Sequence, residues 1–460
     1  MITVTSFANK PIGVLGLGRS GLSAVRALEA GGSDVWAWDD IPEKRDSAKT
    51  EGVKLTDLYQ SDFSKIDTLI LSPGIPDQYP EPHTLTVRAR EAGCAIICDI
   101  DLLARENTTA RFIGISGTNG KSTTTALIGH ILNRANYQAE IGGNYGIPAL
   151  DLLPLDEKGT YVLEISSYQL ERIPSMKLDV GILLNISADH LGRHGGMEGY
   201  VAAKKILFER VREGSKTIIG MEDSHCRAIC MELMIDRGVE NIIPISASSR
   251  VPGGVYVDNG VLIDDLGNTQ NIIMDLCSVL TLPGQHNWQN TAAAYAVARS
   301  IGIEPDIIID AIRSYGGLAH RQELVQSTDG VSFVNDSKAT NTEAAAKALI
   351  CYENIHWILG GQFKEENLGA IQSVLQRVVH AYLIGHELDE LENLLVPFVS
   401  VSRCGDLETA VHEAHRDASL TIPSTVLLSP ACASFDQFKN FEERGDTFRN
   451  IINDLGNIPS

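Results

Sequence analysis

The sequence is short of cysteine and of positive charge, and each shortage excludes a class of protein. Eight cysteines among 460 residues do not make the dense framework of a small secreted disulfide protein, so we expect free thiols in a reducing compartment. Lys and Arg number 38 against 59 Asp and Glu, and the resulting net charge of −21 argues against nucleic-acid binding.

Long apolar runs are also missing. No run approaches the roughly 20 residues that a membrane span needs, and the N-terminus lacks the basic start and apolar core of a signal peptide. We therefore expect a cytoplasmic protein without membrane insertion. Hydrophobic residues at 43% and charged residues at 21% are typical of globular chains, and the length suggests about three domains.

The order of the secondary-structure patterns indicates an α/β fold. Short β-rich apolar runs alternate with helical patterns from end to end, which is typical of parallel sheets. The predicted strands are 12–15, 35–38, 68–71, 112–115, 161–165, 180–184, 217–219, 331–334, 356–359, 381–384, 398–401 and 425–428. Apolar residues at three- and four-residue spacing predict helices at 342–351, 407–418 and 441–455.

One stretch, residues 251–282, breaks this alternation. Asp258-Asn259-Gly260 lies between alternating apolar positions and predicts a hairpin, which we assign to a small antiparallel sheet in the central domain. Domain boundaries are expected near 103 and 317. The prediction is a Rossmann-like domain at 1–103, a central P-loop ATPase-type α/β domain at 104–317 and a second Rossmann-like domain at 318–460.

A first glycine loop, Gly16-Leu17-Gly18-Arg19-Ser20-Gly21, follows a predicted strand and opens an apolar helix. Glycines let backbone N–H groups approach a diphosphate at a helix N-terminus, and Asp39 and Asp40 end the next strand where a ribose-binding acid belongs. The loop leaves three alternatives open, which are a nicotinamide dinucleotide, another diphosphate ligand, or a tight turn without a ligand.

A second glycine loop, residues 117–123 (GTNGKST), follows the predicted strand 112–115 and opens another helix. It supplies small residues for phosphate contact, a lysine for the β- and γ-phosphates and a hydroxyl for Mg²⁺, although Ile115 stands where the strict pattern has its first glycine. Since a dehydrogenase needs only the first loop and a simple ATPase only the second, the pair suggests ATP-driven chemistry on a substrate that carries a diphosphate.

Several clusters further along the chain carry a family resemblance. They are EISSYQ at 164–169, NISADH at 185–190, YVAAK at 200–204, GQHNWQN at 284–290, His320-Arg321, NDSKATN at 335–341 and SPACASFDQFKNFEERG at 429–445. Together with GTNGKST they resemble the Mur ligase family of ATP-dependent amide-forming enzymes, over essentially the whole chain. The segments at 335–341 and 429–445 resemble the branch that joins D-glutamate to UDP-N-acetylmuramoyl-L-alanine.

The resemblance implies a monomeric enzyme of cytoplasmic peptidoglycan precursor synthesis, a pathway of cell-wall biogenesis, cell shape and cell division. ATP would phosphorylate the L-alanine carboxylate, and the amine of D-glutamate would then displace phosphate. The implied cofactors are two Mg²⁺ ions, with Mn²⁺ as a substitute. The implied catalytic residues are Lys121, Glu164, His190, Lys204 and Arg321, and the implied metal ligands are Ser122, Glu164, His190 and Lys204 in carbamylated form.

The resemblance also implies the ligand-binding residues. ATP is assigned to Gly117, Thr118, Asn119, Gly120, Lys121, Ser122, Thr123, Asn287, Asn290, Arg321 and Asp336. The UDP-substrate is assigned to Gly18, Arg19, Ser20, Asp39, Asp40, Ser72, Gly74, Asn144, Ser166 and Gln169. D-glutamate is assigned to Lys338, Thr340, Lys364, Ser434, Phe435 and Phe441, with Lys364 also read as a cation on the nucleotide side.

Some residues depart from the family pattern. Gly192 replaces an acid, Phe435 replaces a smaller apolar residue and Tyr168 replaces a phenylalanine, while His194 is expected on a loop surface rather than on a metal. Alternative functions are a related ligase such as folylpolyglutamate synthase, a nicotinamide-dependent oxidoreductase and a nucleotide-gated binding module. The first glycine loop argues against the folate enzyme, because folate has no diphosphate.

Overall fold

The computed structural model describes residues 1–267, 269–363, 365, 367–386 and 388–455. The chain divides into two compact units. Unit 1 consists of Met1–Leu276 with Gln285–Arg313, and unit 2 consists of Cys277–Gly284 with Ser314–Ser460. The described residues form three sheets, of which two belong to unit 1 and one to unit 2.

The N-terminal sheet of unit 1 is parallel, with the strand order β2-β1-β3-β4. Its strands are β1 (Pro11–Leu15), β2 (Asp34–Trp38), β3 (Thr68–Leu71) and β4 (Ala95–Ile97), and its helices are α1 (Arg19–Ala30), α2 (Pro42–Thr50), α3 (Thr84–Glu91) and α4 (Asp99–Glu106). Every residue of β3 is buried, which explains why its sequence TLIL contains no charged residue. The three strands predicted here are confirmed.

The central sheet of unit 1 has the order β13-β12-β11-β10-β9-β8-β5-β7-β6. Its strands are β5 (Arg111–Ser116), β6 (Ala139–Gly143), β7 (Thr160–Glu164), β8 (Leu178–Leu183), β9 (Val211–Gly220), β10 (Ile242–Ser246), β11 (Val255–Asp258), β12 (Val261–Asp264) and β13 (Asn271–Asp275). Its helices are α5 (Lys121–Arg134), α6 (Ser167–Leu170), α7 (Met197–Glu209), α8 (Ser224–Arg237), α9 (Gly284–Ser300) and α10 (Pro305–Arg313).

The predicted hairpin is the turn between β11 and β12. Asn259 and Gly260 both have positive φ, at 49° and 83°, as a two-residue turn of this kind requires. Strand β11 runs parallel to β10, whereas β12 and β13 follow in antiparallel order. The sequence predicts a small antiparallel sheet in the central domain, and the structure shows these antiparallel strands as one edge of the nine-stranded central sheet.

The sheet of unit 2 has the order β14-β15-β19-β16-β17-β18, and only its β14–β15 pairing is antiparallel among the described strands. Its strands are β14 (Glu323–Thr328), β15 (Val331–Asn335), β16 (Ile355–Gly360), β17 (Val378–Ile384), β18 (Ser400–Gly405) and β19 (Ser424–Leu428), and its helices are α11 (Thr342–Leu349), α12 (Asp389–Leu395), α13 (Leu407–Ala418) and α14 (Phe441–Leu455). The strand predicted at 398–401 begins two residues later, at Ser400.

The α/β fold class is confirmed by this architecture. In each sheet, the segments that carry the predicted motifs follow neighbouring parallel strands. The two N-terminal loops follow β1 and β3, the phosphate loop and Glu164 come at the ends of β5 and β7, and the segments 335–341 and 429–445 come at the ends of β15 and β19. Because parallel strands end at the same edge of a sheet, this topology gathers the candidate residues. The boundaries near 103 and 317 stay predictions.

Candidate active site

A cavity of about 540 Å³ opens at the carboxyl ends of β1 and β3 in unit 1. Most of the residues predicted to bind a UDP-substrate line it, namely Gly18, Arg19, Ser20, Asp39, Asp40, Ser72, Gly74 and Asn144. Ser166 and Gln169 instead form the N-terminal capping box of α6. Lys44 and His83 line the same cavity, and neither was predicted from the sequence to bind the substrate.

The first glycine loop is held in place by a close approach of α1 to the end of β1. A Cβ atom on Gly21 would lie 1.8 Å from the carbonyl oxygen of Gly16, so the position admits only glycine without rearrangement. Ser72 Oγ donates to the same Gly16 oxygen at 2.9 Å and joins the loops that follow β1 and β3. These contacts fix the floor of the cavity.

The two acids after β2 differ in their contacts. Asp39 is buried, and its carboxylate accepts from the backbone N–H groups of Leu17 at 2.7 Å and Ile41 at 2.9 Å. Asp40 Oδ2 is 2.8 Å from His83 Nε2 and accepts from the Tyr59 hydroxyl at 3.0 Å. Partial burial raises the pKa of Asp40, but these hydrogen bonds outweigh it and the pKa is lowered. Asp39 thus shapes the loop, whereas Asp40 is the more exposed acid.

The second glycine loop has the geometry that small residues permit. Gly120 has φ of 85°, and a Cβ atom there would lie 2.2 Å from Asn290 Oδ1. Lys121 Nζ donates to the loop carbonyls of Gly117 at 2.9 Å and Thr118 at 2.8 Å, so the ammonium group lies over its own loop. Thr123 is half-buried in the first turn of α5. The loop, its lysine and the N-terminus of α5 together offer N–H donors and positive charge of the kind that binds an anion.

Neighbouring side chains anchor this loop from two sides. Asn185 Oδ1 accepts from the backbone N–H of Asn119 at 2.9 Å, and the Thr118 hydroxyl lies 3.1 Å from the Tyr200 hydroxyl. The sequence analysis assigned no role to Asn185 or Tyr200, although both stand in quoted motifs. On α9, Asn290 Nδ2 donates to Asn287 Oδ1 at 3.1 Å, so these two predicted ATP-binding residues lie together beside Gly120.

Glu164, the last residue of β7, connects the phosphate loop to the cavity. Its Oε2 accepts from Ser122 Oγ at 2.6 Å, and its Oε1 accepts from Asn144 Nδ2 at 2.8 Å. The backbone N–H of Asn144 also donates to the Glu164 carbonyl at 2.9 Å. Since Asn144 lines the cavity and Ser122 belongs to the phosphate loop, a single buried carboxylate touches both.

Lys204 is 1% exposed on α7, and its ammonium group lies 4.7 Å from the centre of the Tyr200 ring. Burial, followed by the charge of Lys121, lowers the pKa of Lys204 to about 7. His190 has φ of 50° and a side chain that is more than half exposed, with Nε2 at 3.5 Å from Asp189 Oδ2. Within the described residues, no three His, Cys, Asp or Glu side chains converge as a metal-binding group.

The expectation for His194 was wrong. The side chain is buried rather than on a loop surface, and it stacks on Tyr168 with ring centres 5.2 Å apart. Its Nε2 lies 3.0 Å from the Ser167 hydroxyl. An aromatic neighbour and a hydroxyl partner make burial of an imidazole favourable, and neither is visible in the local sequence.

In unit 2, Asp336 directly follows β15, and each oxygen of its carboxyl group accepts a hydrogen bond. Ser429 Oγ donates to Oδ2 at 2.8 Å, and the backbone N–H of Gln322 donates to Oδ1 at 3.2 Å. Burial raises the pKa of Asp336 to about 7, although these hydrogen bonds and the charge of Arg321 act in the opposite direction. The structure therefore brings Arg321 and Asp336, two predicted ATP-binding residues, into one electrostatic environment.

The residues predicted to bind D-glutamate also lie in unit 2. Lys338 Nζ is 3.9 Å from the centre of the Phe441 ring, which brings two of them together in a cation–π contact. Ser434 is buried, whereas Thr340 and Phe435 are exposed, Phe435 to 64%. Lys364 lies outside the described residues.

Comparison with known proteins decides the family. Residues 115–298 match the model of the Mur ligase middle domain. The chain is 47% identical to the UDP-N-acetylmuramoylalanine–D-glutamate ligase of Rhodospirillum rubrum over 99% of this chain and 97% of that protein. The chain belongs to the Mur ligase family. The resemblance drawn from the motifs, including its ligase activity class, is thereby confirmed.

Solved structures of Mur ligases share the fold. The UDP-N-acetylmuramate–alanine ligase of Thermotoga maritima superposes with a TM-score of 0.57 at 17% identity, covering 97% of this chain and 99% of that one. A MurF ligase of the same organism, in complex with ADP, gives a TM-score of 0.54 at 17% identity over 87% of this chain and 100% of that one. Across the described part of this Mur ligase, no helix combines the length and apolarity that crossing a membrane demands.

Proposed function

We propose that this Mur ligase uses ATP to join D-glutamate to UDP-N-acetylmuramoyl-L-alanine in cytoplasmic peptidoglycan precursor synthesis. The observation that carries the proposal is the Glu164 carboxylate, which accepts from Asn144 of the cavity and from Ser122 of the phosphate loop. We therefore propose that the substrate carboxylate and the ATP γ-phosphate bind next to each other, near Glu164 in unit 1. We propose D-glutamate as the amino acid that is joined because similar proteins carry the name UDP-N-acetylmuramoylalanine–D-glutamate ligase.

The chemistry explains why the reaction needs ATP. A carboxylate is a poor electrophile, so its oxygen first attacks the γ-phosphorus and the bond to ADP breaks. The amine of D-glutamate then attacks the carbonyl carbon of the acyl phosphate, the C–O bond to phosphate breaks, and the amine loses a proton as the amide forms. Charge collects on the transferring phosphoryl group, so the site must supply positive charge and N–H donors.

In unit 1, the cavity would hold the UDP moiety and the second glycine loop the ATP phosphates. The loop N–H groups and the Lys121 ammonium, which now donates to loop carbonyls, would turn to the phosphates. Asn287 and Asn290 stand beside the loop where the adenosine would lie. Arg19 donates to the Gly146 carbonyl at the cavity, so its guanidinium is already near the proposed diphosphate site.

Magnesium is implied by the family, and the residues of unit 1 fit it. Ser122 Oγ and Glu164 Oε2 lie 2.6 Å apart, and oxygen atoms of hydroxyls and carboxylates are the ligands that Mg²⁺ prefers. These two residues would hold one ion, and His190 with a carbamylated Lys204 would help hold a second. The ions would neutralise charge on the phosphoryl group. Mn²⁺ is expected to substitute.

Lys204 suits carbamylation because the reaction with CO2 requires a neutral amine. Its lowered pKa leaves a substantial neutral fraction near pH 7, whereas Lys205 forms an exposed ion pair with Glu232 at 2.7 Å. In unit 2, Arg321 and Asp336 would serve ATP, and Lys338 with Phe441 would serve D-glutamate, together with Thr340, Ser434, Phe435 and Lys364. We assign the UDP-substrate to residues 1–103, ATP to 104–317 and D-glutamate to 318–460, in a monomer.

The test is ADP release measured with a panel of amino acids. We expect turnover only when ATP, UDP-N-acetylmuramoyl-L-alanine and D-glutamate are all present, with an amide product detected by mass spectrometry. Turnover with L-glutamate or with a different amino acid in place of D-glutamate contradicts the proposed specificity. NADH consumption or folate-dependent ADP release would favour one of the alternative functions instead.

A further inference from the structure

Arg444 is a buried cation in unit 2 to which the proposed function assigns no role. It lies on α14, is 1% exposed, and donates to four neutral oxygen atoms. Its Nη2 donates to the Ser337 carbonyl at 2.8 Å and its Nε to Ser337 Oγ at 3.0 Å. Its Nη1 donates to the carbonyls of Cys432 at 3.2 Å and Gly360 at 3.5 Å.

These acceptors lie on three separate segments of the chain. Ser337 follows β15, Gly360 ends β16 and Cys432 follows β19, and these are three adjacent parallel strands in the order β15-β19-β16. The guanidinium thus joins the segments at the carboxyl edge of the sheet, where ligands of α/β domains bind. Among the residues predicted to bind D-glutamate, Lys338 belongs to the first segment and Ser434 to the third.

Backbone contacts tie the same segments together around Arg444. The N–H of Gln362 donates to the Ala433 carbonyl at 2.9 Å, and the N–H of Ala433 donates to the Gln362 carbonyl at 3.2 Å. Ser337 Oγ, which accepts from Arg444, donates in turn to the Phe441 carbonyl at 2.8 Å. The Arg444 side chain therefore donates to all three of the segments that these backbone contacts hold together.

A buried guanidinium with neutral acceptors is expensive, because desolvation opposes its charge. Burial lowers the pKa of Arg444 to about 10, so the group remains a cation at neutral pH and keeps its full set of donors. An apolar residue would fill the same volume at less cost, but it would remove the donors that Arg444 offers to the carbonyls of three segments. This free-energy cost suggests that the protein uses Arg444 to hold the three segments in a defined relative position.

We propose that Arg444 is a positioning residue for the amino-acid substrate, because it fixes the segment that carries Lys338 against Phe441. The proposal rests on the proposed function of unit 2. The contacts of Asp336, the predicted ATP-binding residue one position before Ser337, explain why the effect should fall on D-glutamate rather than on ATP. Ser429 Oγ and the Gln322 N–H donate hydrogen bonds to that carboxylate, whereas Arg444 acts on it through its charge, which a lysine would keep. Loss of Arg444 should therefore disturb D-glutamate more than ATP.

The first test is R444K, which keeps the charge and removes the planar fork that reaches three segments. We expect the KM for D-glutamate to rise at least tenfold, while the KM values for ATP and the UDP-substrate change less than threefold. The matched control is R449K on the same helix, since Arg449 pairs with Glu323 at 2.8 Å and donates to none of the three segments in the described structure. R449K should keep all three KM values.

An R444K protein with unchanged KM for D-glutamate, or with all three KM values raised equally, overturns the proposal. If R444K fails to fold, S337A tests the proposal instead. This variant keeps Arg444 and removes the Ser337 hydroxyl, which links Arg444 to Phe441. We expect S337A to raise the KM for D-glutamate at least threefold, and an unchanged value counts against the proposal.

The two proposals fail in distinguishable ways. If the wild-type enzyme turns over a different amino acid, the proposed specificity is wrong, and the KM for that amino acid then decides the role of Arg444. If the wild type uses D-glutamate and R444K and S337A behave like it, only the positioning role is wrong. Absence of turnover with every amino acid contradicts both.

Discussion

The side-chain amide of Asn144 donates to Glu164 at 2.8 Å, and this contact connects the cavity of unit 1 to the carboxylate beside the phosphate loop. The register of the central sheet creates it, because Gly143 at the end of β6 is paired with Glu164 at the end of β7. Asn144 therefore leaves the sheet beside the carboxylate that also accepts from Ser122. Two hydrogen bonds to one residue therefore connect the cavity with the phosphate loop.

Substitution of Asn144 tests this link. N144A leaves Glu164 Oε1 without its side-chain donor in a buried site, and a lost hydrogen bond to a charged group costs about 1.5–3 kcal/mol. We expect kcat to fall by about tenfold or more. N144D should be worse, because a second carboxylate beside Glu164 repels it.

The control is N133A, since Asn133 has an exposed side chain on α5. Steady-state kinetics of the three variants provide the measurement. If N144A retains wild-type kcat and wild-type KM values, the contact with Glu164 has no part in the reaction.

Lys204 and its neighbour Lys205 form a matched pair for carbamylation. The protein incubated with ¹³C-labelled bicarbonate should give a carbamate carbon signal by NMR, because the buried amine of Lys204 is partly neutral near pH 7. The signal should vanish in K204M and persist in K205M, whose target side chain is paired with Glu232 at the surface. A signal that survives K204M shows that the modification lies elsewhere.

The first glycine loop offers a test of packing with its own internal control. G21A introduces a Cβ atom 1.8 Å from the Gly16 carbonyl oxygen, so we expect a loss of about 1–3 kcal/mol in unfolding free energy and weaker binding of the UDP-substrate. G18A meets no atom within 4 Å and has ordinary backbone geometry, so its Tm should stay near that of the wild type. Equal melting temperatures for the two variants contradict the packing of α1 against β1.

Asp336 should make the stability of unit 2 depend on pH. Its pKa in the folded protein is about 7, above the roughly 3.9 of an unfolded chain, so the folded state holds the extra proton between these values. The unfolding free energy then falls as pH rises from about 4 to 7, by at most about 1.4 kcal/mol per pH unit.

D336N removes this titration. The stability of D336N relative to the wild type should therefore increase between pH 5 and pH 7.5, as measured by urea-unfolding midpoints. A relative stability that stays constant over this range shows that the Asp336 carboxyl is not protonated in the folded protein.

The sequence predicted what depends on local pattern. Both glycine loops, the strands before them and the hairpin at Asn259-Gly260 were predictable, because backbone geometry there demands particular residues. The cluster of Asn287 and Asn290 beside the phosphate loop followed from the family resemblance, whereas composition and periodicity gave no reason to place α9 there.

Residues whose role depends on packing could not be predicted in this way. His83, the residue that caps the N-terminus of α3, contacts Asp40, and nothing in its neighbourhood along the chain points to that contact. His194 was expected on a loop surface, whereas the structure buries it in a stack on Tyr168. Arg444 stood in a recognised segment without a role, because a charged residue in a helix usually faces water.

The most direct test of the account follows oxygen from substrate to phosphate. UDP-N-acetylmuramoyl-L-alanine labelled with ¹⁸O in both carboxylate oxygens is turned over with ATP and D-glutamate, and the inorganic phosphate is analysed by mass spectrometry. An acyl phosphate predicts one ¹⁸O atom in each phosphate released, formed only when D-glutamate is present. Unlabelled phosphate, or labelled phosphate that forms equally well with another amino acid, contradicts the account.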